Sequence, residues 1–416
     1  MLEKKESYRK KIIKQLYFAK TLSCADVSVG IKKSLPLTTK ILNELIDGEV
    51  VFETGTAPST GGRRASMYSL RPDVFYIVSV AVDQFVTRIA VMDMQNNFVT
   101  PVDKFELPLP HNPDALSYLA LQIDKAVKKS KIKRSKIIGI GIGMPGFVDV
   151  KQGINHTFLK LPGETITGYI REKTGLPVFI DNDSSVIALA ELRFGEARKR
   201  RNVMVINIGW GVGLGLILNG ELFRGNNGFA GEFSHLPIFS NGKLCSCGKS
   251  GCLETETSLL VILQKAKEEL KAGQVSMLKL EATVSIEQGS EALMAAVHEG
   301  DRFAIELFSE AGYNIGRGVA ILIHLLNPEL VILGGRGASA GKIWQAPIQQ
   351  ALNEHCIPRL AANTTLEMST LGYEAELIGS AALVMEHYDK EQAEVFSSVM
   401  RTNSGSLSKK RKKLVE

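Results

Sequence analysis

The stretch HLPIFSNGKLCSCGKSGCLE, residues 235–254, places three of the chain's five cysteines, Cys245, Cys247 and Cys252, within eight residues behind His235. Three thiolates and an imidazole suit a tetrahedral zinc ion, and Gly248 and Gly251 let the backbone wrap closely around a small ion. A Cys3His set leaves no fourth position for water. The expected site is therefore structural and not catalytic, and it would fix the neighbouring carboxylates Glu232 and Glu254. Cysteines so few and so unevenly spaced do not make a disulfide scaffold.

Around this stretch the pattern is α/β. Upstream, Phe75–Val82 and Arg88–Asp93 read as a β-hairpin, Ala115–Lys129 as a helix, and Ile137–Ile142 as a buried strand that runs into Gly143, Met144, Pro145 and Gly146. Val178–Ile180 is a further strand ending in Asp181, Asn182 and Asp183 before a helix at Ser185–Phe194. Polar groups at strand carboxyl ends are where such sheets bind ligands. A second series starts at Val203–Ile208, passes through Gly209, Gly211, Gly213 and Gly215, and returns at Leu216–Asn219. Helix Ala304–Asn327 then leads to strand Leu330–Leu333 and to Gly334 and Gly335. Two lobes of similar order are expected.

The amino-terminal residues read differently. Ile12, Ile13, Leu16, Tyr17 and Ala19 form one stripe of a first helix; Ser23–Val29 fits a second; Ser34 as N-cap with Pro36 in the first turn opens a third. In the third helix Ile41, Leu42, Leu45 and Ile46 point inward, leaving Thr38, Thr39, Lys40 and Asn43 to face out or to lie near its exposed start, short polar and cationic groups of the kind that read a major groove. Two strand-like pieces, Val50–Glu53 and Ser66–Leu70, flank a glycine-rich tip carrying Arg63 and Arg64, which suits phosphates or a minor groove. The reading is a winged helix-turn-helix over residues 1–74 that binds double-stranded DNA. A small helical bundle with a basic solvated loop is the alternative.

At 416 residues, 44% hydrophobic and 23% charged, the chain has the composition of an ordinary globular protein. Its longest apolar runs, such as Gly316–Leu326, are broken by Arg317 and His324, and its start, MLEKKESYRKK, lacks the apolar stretch of a secretory signal. A cytoplasmic protein with no membrane partner is expected. The net charge of +6 is concentrated in residues 1–74 and in KKRKK at Lys409–Lys413, which suggests an acidic partner. Residues 391–416 read as a basic flexible tail that adds nonspecific DNA affinity or is a simple solvated end.

AGEFSH at Ala230–His235, followed by CxCGxxGCxE at Cys245–Glu254, resembles the ROK family of sugar repressors and sugar kinases, and STGGRR at Ser59–Arg64 is similar to the wing of its longer members. The resemblance implies an actin-like (RNase H-like) two-lobed domain over residues 75–390, with lobes near 75–195 plus the carboxyl-terminal helix, and 196–370. It implies a pyranose held by Asn182, Asp183, Glu232, His235 and Glu254, with Gly146 close by; each carboxylate accepts two hydrogen bonds from vicinal hydroxyls. Asn182 and Asp183 also read as a helix cap.

In kinases of the family Asp183 would be the general base. Their first hairpin resembles DxGGTK and their second phosphate loop GTGxG. Here the residues are Asp83, Gln84, Phe85, Val86, Thr87, Arg88 and Gly209, Trp210, Gly211, Val212, Gly213. Phe85 and Val86 replace both glycines, and an indole replaces a small hydroxyl. Phosphoryl transfer depends on positioning and charge, so no catalytic residue is expected to act. The expected function is a sugar- or sugar-phosphate-responsive transcriptional regulator, a repressor of carbohydrate genes, acting as a homodimer or dimer of dimers. The alternatives are a kinase of a hexose or N-acetylhexosamine using ATP, and a protein-binding regulator that senses no small molecule.

Overall fold

The computed structural model describes residues 2–57, 64–280 and 283–390. The amino-terminal part opens with α1 (Leu2–Ala19), a short β1 (Leu22–Ser23), α2 (Cys24–Ile31) and α3 (Leu35–Asp47), followed by β2 (Val51–Thr56) and β3 (Ser66–Leu70). Ser23 starts α2 through a reciprocal capping box with Asp26, which satisfies two otherwise orphaned N–H groups. Ser34 stands at the N-cap of α3, with Pro36 in the first turn, although its side chain makes no cap hydrogen bond. Ile12, Ile13, Leu16 and Tyr17 of α1 meet Ile41, Leu42 and Leu45 of α3 in a fully buried apolar core. The three strands form an antiparallel sheet in the order β1-β3-β2.

Next come β4 (Tyr76–Val82), β5 (Val86–Asp93), β6 (Asp103–Glu106), α4 (Ala115–Lys129), β7 (Ile137–Met144), β8 (Val148–Asp149), β9 (Ile154–Asn155), α5 (Ile166–Thr174), β10 (Val178–Asn182) and α6 (Asp183–Phe194). The remainder is β11 (Val203–Ile208), β12 (Val212–Leu218), β13 (Glu221–Phe223), α7 (Glu254–Thr257), α8 (Leu259–Lys271), α9 (Ile286–His298), α10 (Arg302–Leu326), β14 (Leu330–Gly334), α11 (Gln345–His355), α12 (Pro358–Ala361), β15 (Thr365–Met368) and α13 (Ala375–His387). The two five-stranded sheets run β10-β7-β4-β5-β6 and β13-β12-β11-β14-β15. In each, the first strand sits centrally, pairs antiparallel with the second and parallel with the fourth. The same topology therefore occurs twice.

The central strands lie inside both faces of their sheets, which is why they read as continuous apolar runs and not as alternating ones. β12 is different. A Cβ on Gly213 would fall 1.9 Å from Ser184 Oγ, and one on Gly215 would fall 2.3 Å from the Ala188 methyl. Alternate positions of a strand face one side, so these glycines let α6 lie directly on the strand. The core here is built from Ile187, Ala188, Val203, Val205, Ile217, Leu330 and Ile332.

The chain divides into two compact units. The first comprises the residues up to Met144, Val150–Asp181 and the chain from Ser380 onward; the second comprises Pro145–Asp149 and Asn182–Gly379. In the first, Ser380 Oγ accepts from Gly143 N–H and donates to Val80 O, each at 3.0 Å, fastening α13 to β7 and β4. Among the described residues no helix is long and apolar enough to cross a membrane.

Candidate sugar site and metal centre

The six candidate sugar-site residues, Gly146, Asn182, Asp183, Glu232, His235 and Glu254, all fall in the second unit. Asn182 caps α6: its Oδ1 accepts from Ser184 N–H at 3.0 Å and Ser185 N–H at 3.3 Å. Its amide nitrogen donates to Gly146 O at 3.2 Å, so one side chain both starts the helix and ties down the Gly146 loop. Gly146 has φ +93°, a conformation L side chains rarely adopt. Asp183 Oδ1 accepts from the N–H of Ser184 at 2.6 Å and from its hydroxyl at 3.1 Å. The helix-cap reading and the ligand reading of this pair are therefore compatible.

Glu254, the first residue of α7, is brought to the same place by the glycine run. A Cβ on Gly211 would sit 2.6 Å from Glu254 Oε2, and Gly213 meets Ser184 on the same side of the strand. The glycines at 211 and 213 thus set Glu254 beside the start of α6. Phe147 and Phe229, in edge-to-face contact at 5.8 Å, join the Gly146 loop to the segment that leads into Glu232. Burial holds the Glu254 carboxyl above the usual carboxylate range, with His235 and the Val212 N–H offsetting part of the effect. Glu232 is also raised, by the protein atoms around it and by Glu254, although its side chain is 42% exposed. When ionised, each carboxylate offers lone pairs on two oxygens that can accept hydrogen bonds from hydroxyl groups.

His235 belongs to two constellations through its two ring nitrogens. Nε2 lies 3.8 Å from Glu232 Oε2, and Nδ1 lies 3.5 Å from Cys245 Sγ. The ligand atoms of His235, Cys245, Cys247 and Cys252 all lie within 4.8 Å of one another. The Cys247 and Cys252 sulfurs are 3.7 Å apart. A tetrahedron with Zn–S bonds of about 2.3 Å and a Zn–N bond of about 2.0 Å has edges of roughly 3.5 to 3.8 Å, so these residues fit a metal ion.

The local backbone makes the cluster. Cys245 O accepts from Gly248 N–H at 2.9 Å, and Cys245 N–H donates to Lys249 O at 2.8 Å, folding a tight knuckle. Gly251 has φ +79°, and a Cβ there would lie 2.0 Å from Phe239 O. Cys252 is fully buried, and burial with two neighbouring thiols pushes it up to about 12; Cys247, whose sulfur receives the Lys249 N–H, is lowered. A cation at the cluster centre would reverse the Cys252 effect by favouring the thiolate.

The candidate DNA-facing residues divide. Thr39, Lys40 and Asn43 are exposed on α3, and Arg64 is exposed ahead of β3. Thr38 is a correction. It is fully buried, and its hydroxyl donates to Ser34 O at 3.0 Å, because position 38 shares the inward face with Ile41, Leu42 and Leu45. Three residues before Ile41 is one helical turn, and that spacing excludes Thr38 from the outer surface. Arg63 and the tail 391–416 lie outside the described residues.

At the two kinase-like loops, Asp83 Oδ1 accepts from the Phe85 N–H at 2.9 Å and the Val86 N–H at 2.8 Å, binding its own turn. Trp210 is buried beneath the Arg336 guanidinium, 4.7 Å from its ring; Arg336 also stacks on Tyr373 at 4.6 Å and pairs with Glu287 at 2.6 Å. Sequence reading missed Arg336. Its partners are remote in the chain, and only its position after Gly334 and Gly335 marks it.

A model of the ROK family matches residues 80–387. The chain belongs to the ROK family. This ROK chain is 33% identical over 291 residues to a glucokinase of Halalkalibacterium halodurans, covering 68% of this chain and 88% of that one. It is 30% identical over 380 residues to a xylose repressor of Caldicellulosiruptor bescii, covering 90% and 94%. Among solved structures it is similar to a ROK family transcriptional regulator homologous to the Escherichia coli MLC protein, with 27% identity, a TM-score of 0.73, and coverage of 96% of this chain and all of that one. The doubled sheet is thus the actin-like ROK fold.

Proposed function

We propose that this ROK protein is a transcriptional regulator, a repressor of carbohydrate genes, whose affinity for a DNA operator changes when a sugar or sugar phosphate binds. The observation that carries this reading is the amino-terminal module: three helices and an antiparallel hairpin joined in one chain to a carboxylate-lined site. We read residues 1–74 as a winged helix-turn-helix, with α3 in the major groove through Thr39, Lys40 and Asn43, and Arg63 and Arg64 at the wing. Residues 75–390 are the sugar-responsive domain, and 391–416 a basic tail. The repressor match, extending over 380 residues against 291 for the glucokinase, supports a role that uses the added module.

Gly146, Asn182, Asp183, Glu232, His235 and Glu254 would bind the effector. A zinc ion held by His235, Cys245, Cys247 and Cys252 would be structural, supplying the fixed charge that orients the His235 ring while the other ring nitrogen faces Glu232. Reading two half-sites calls for a homodimer or a dimer of dimers, working in the cytosol where its DNA lies.

The second reading, a sugar kinase, is favoured by the retained Asp183 and by the glucokinase relative. Against it stand three side chains. Phe85 and Val86 occupy a turn whose aspartate already caps it, and Trp210 is stacked under Arg336. We infer that the chain does not transfer phosphate.

The deciding experiment is selection of duplexes from a random pool by the full-length protein at about 150 mM salt, where phosphate attraction alone is weak. A palindromic motif, lost when Arg63→Ala and Arg64→Ala are combined, is the expected result. No enriched motif with or without D-xylose, D-glucose or N-acetyl-D-glucosamine, together with ATP-dependent phosphorylation abolished by Asp183→Asn, would establish the kinase instead.

A further inference from the structure

The apolar stripe of α1 is consumed inside the amino-terminal module, but the flank bearing Lys10 and Lys14 reaches the end of α13. Lys14 Nζ donates to Glu386 O at 2.8 Å and to Asp389 Oδ1 at 3.0 Å, and lies 3.2 Å from Glu386 Oε2. An ammonium on a last-turn carbonyl satisfies an orphan acceptor and meets the negative end of the helix dipole. Lys10, itself buried, lies over the Tyr388 ring at 5.9 Å. Lys14 is only 18% exposed, so its contacts are not ordinary surface pairs.

The middle of α13 is fastened just as closely. Ser380 bridges Gly143 of β7 and Val80 of β4, and a Cβ on Gly141 would lie 1.8 Å from Ser380 O. Gly143 is three residues before Gly146, the candidate effector loop. One helix thus links β7, the strand that leads into that loop, to α1 of the amino-terminal module through Ser380 and Glu386. A second fastening is independent of it: Gln95 Nε2 donates to Ser69 Oγ at 3.1 Å and to Leu70 O at 2.8 Å, holding β3.

We propose that α13 is the rod through which effector binding reaches the DNA-reading module, and that Lys14 is the positioning residue that couples α1 to it. This rests on the reading of the chain as a sugar-responsive regulator. A displacement of the β7 end moves Ser380, α13 moves as a unit, and α1 follows through Lys14 while the Gln95 fastening acts as the pivot. Without Lys14 the module stays attached and folded but no longer follows.

The test uses the full-length protein, a duplex selected by it, and D-xylose, D-glucose and N-acetyl-D-glucosamine as probes. Lys14→Met should keep sugar-free duplex affinity within about twofold and keep the sugar-induced rise in melting temperature. The sugar-induced change in duplex affinity should fall from the roughly 5- to 150-fold typical of such coupling to about twofold. Lys14→Arg, which preserves the charge and reach, should restore it. Wild-type coupling in Lys14→Met overturns the proposal, and so does parallel loss of sugar-free binding and coupling, which would mean a merely structural role. If no probe changes the melting temperature or duplex affinity of the wild type, the sugar-responsive reading itself fails, and the rod with it.

Discussion

At the scale of single residues, His235 carries the most weight, because its two nitrogens face two groups, Cys245 Sγ at 3.5 Å and Glu232 Oε2 at 3.8 Å. Cysteine spacing placed it in the thiol set and the family resemblance placed it in the hydroxyl-binding set, without showing how one ring could do both; in the structure Nδ1 faces the Cys245 thiol and Nε2 faces Glu232. If a metal fixes the ring, its loss should damage sugar binding without any change to a sugar contact. Removing zinc with a strong chelator, or Cys252→Ser, should therefore lower the melting temperature by several degrees and abolish its rise with sugar. Metal release can be followed colorimetrically and unfolding by calorimetry. An unchanged sugar response after complete metal removal would refute the link. Thr38 marks the opposite case, where residue type misled: threonine suits a groove-reading surface, yet the helical period turns it onto Ile41 and Leu42.

At the scale of elements, the orientation of α1 on α3 is set by packing and by one acidic residue. Glu44 of α3 pairs with Lys5 at 2.7 Å and Arg9 at 2.9 Å. Burial alone would raise its carboxyl, but the two cations outweigh burial and hold it below its ordinary value of 4.5. A depressed folded-state value means stabilisation that is present above the unfolded value and lost as pH falls through the folded one. Glu44→Gln should thus cost about 0.5 to 1 kcal/mol at pH 7, and the gap from wild type should close on acidification below pH 4.5. Urea titrations at pH 7 and at a pH below 4 check this; a gap independent of pH would show that the pairing contributes nothing. Element identity was largely legible: Ala115–Lys129, Val203–Ile208 and Ser66–Leu70 match the expected spans residue for residue. The elements passed over include α8, α9 and α11, although α8 opens on a Ser258 cap and α9 on a reciprocal Ser285–Gln288 capping box, a polar spacing the sequence does show.

At the scale of the whole molecule, the proposed function is a coupling between an effector site in one unit and a DNA-reading module in the other. Such coupling is reciprocal by thermodynamic necessity. Saturating operator duplex should change the affinity for the effector by the same factor, and in the same direction, as the effector changes affinity for the duplex; titration calorimetry in both orders measures the two factors. Agreement within about twofold is expected, and unequal factors would mean that a change of assembly state intervenes.

The sequence by itself determined what local chemistry can determine. Cysteine spacing picked out the His235, Cys245, Cys247 and Cys252 cluster, apolar runs marked strands such as Val203–Ile208, and the AGEFSH and CxCGxxGCxE stretches marked the family, whereas Gly213 and Gly215, read as a loop before Leu216–Asn219, lie inside the strand Val212–Leu218. These signals survive because each is carried by residues within one short stretch of chain. Tertiary structure alone decided which glycine faces which carboxylate, that Arg336 covers Trp210, and that Lys14 reaches the last turn of α13 at Glu386, 372 positions away. Contacts of that kind are made by chain closure over long loops, and no local period or propensity records which distant side chain will fill a given space.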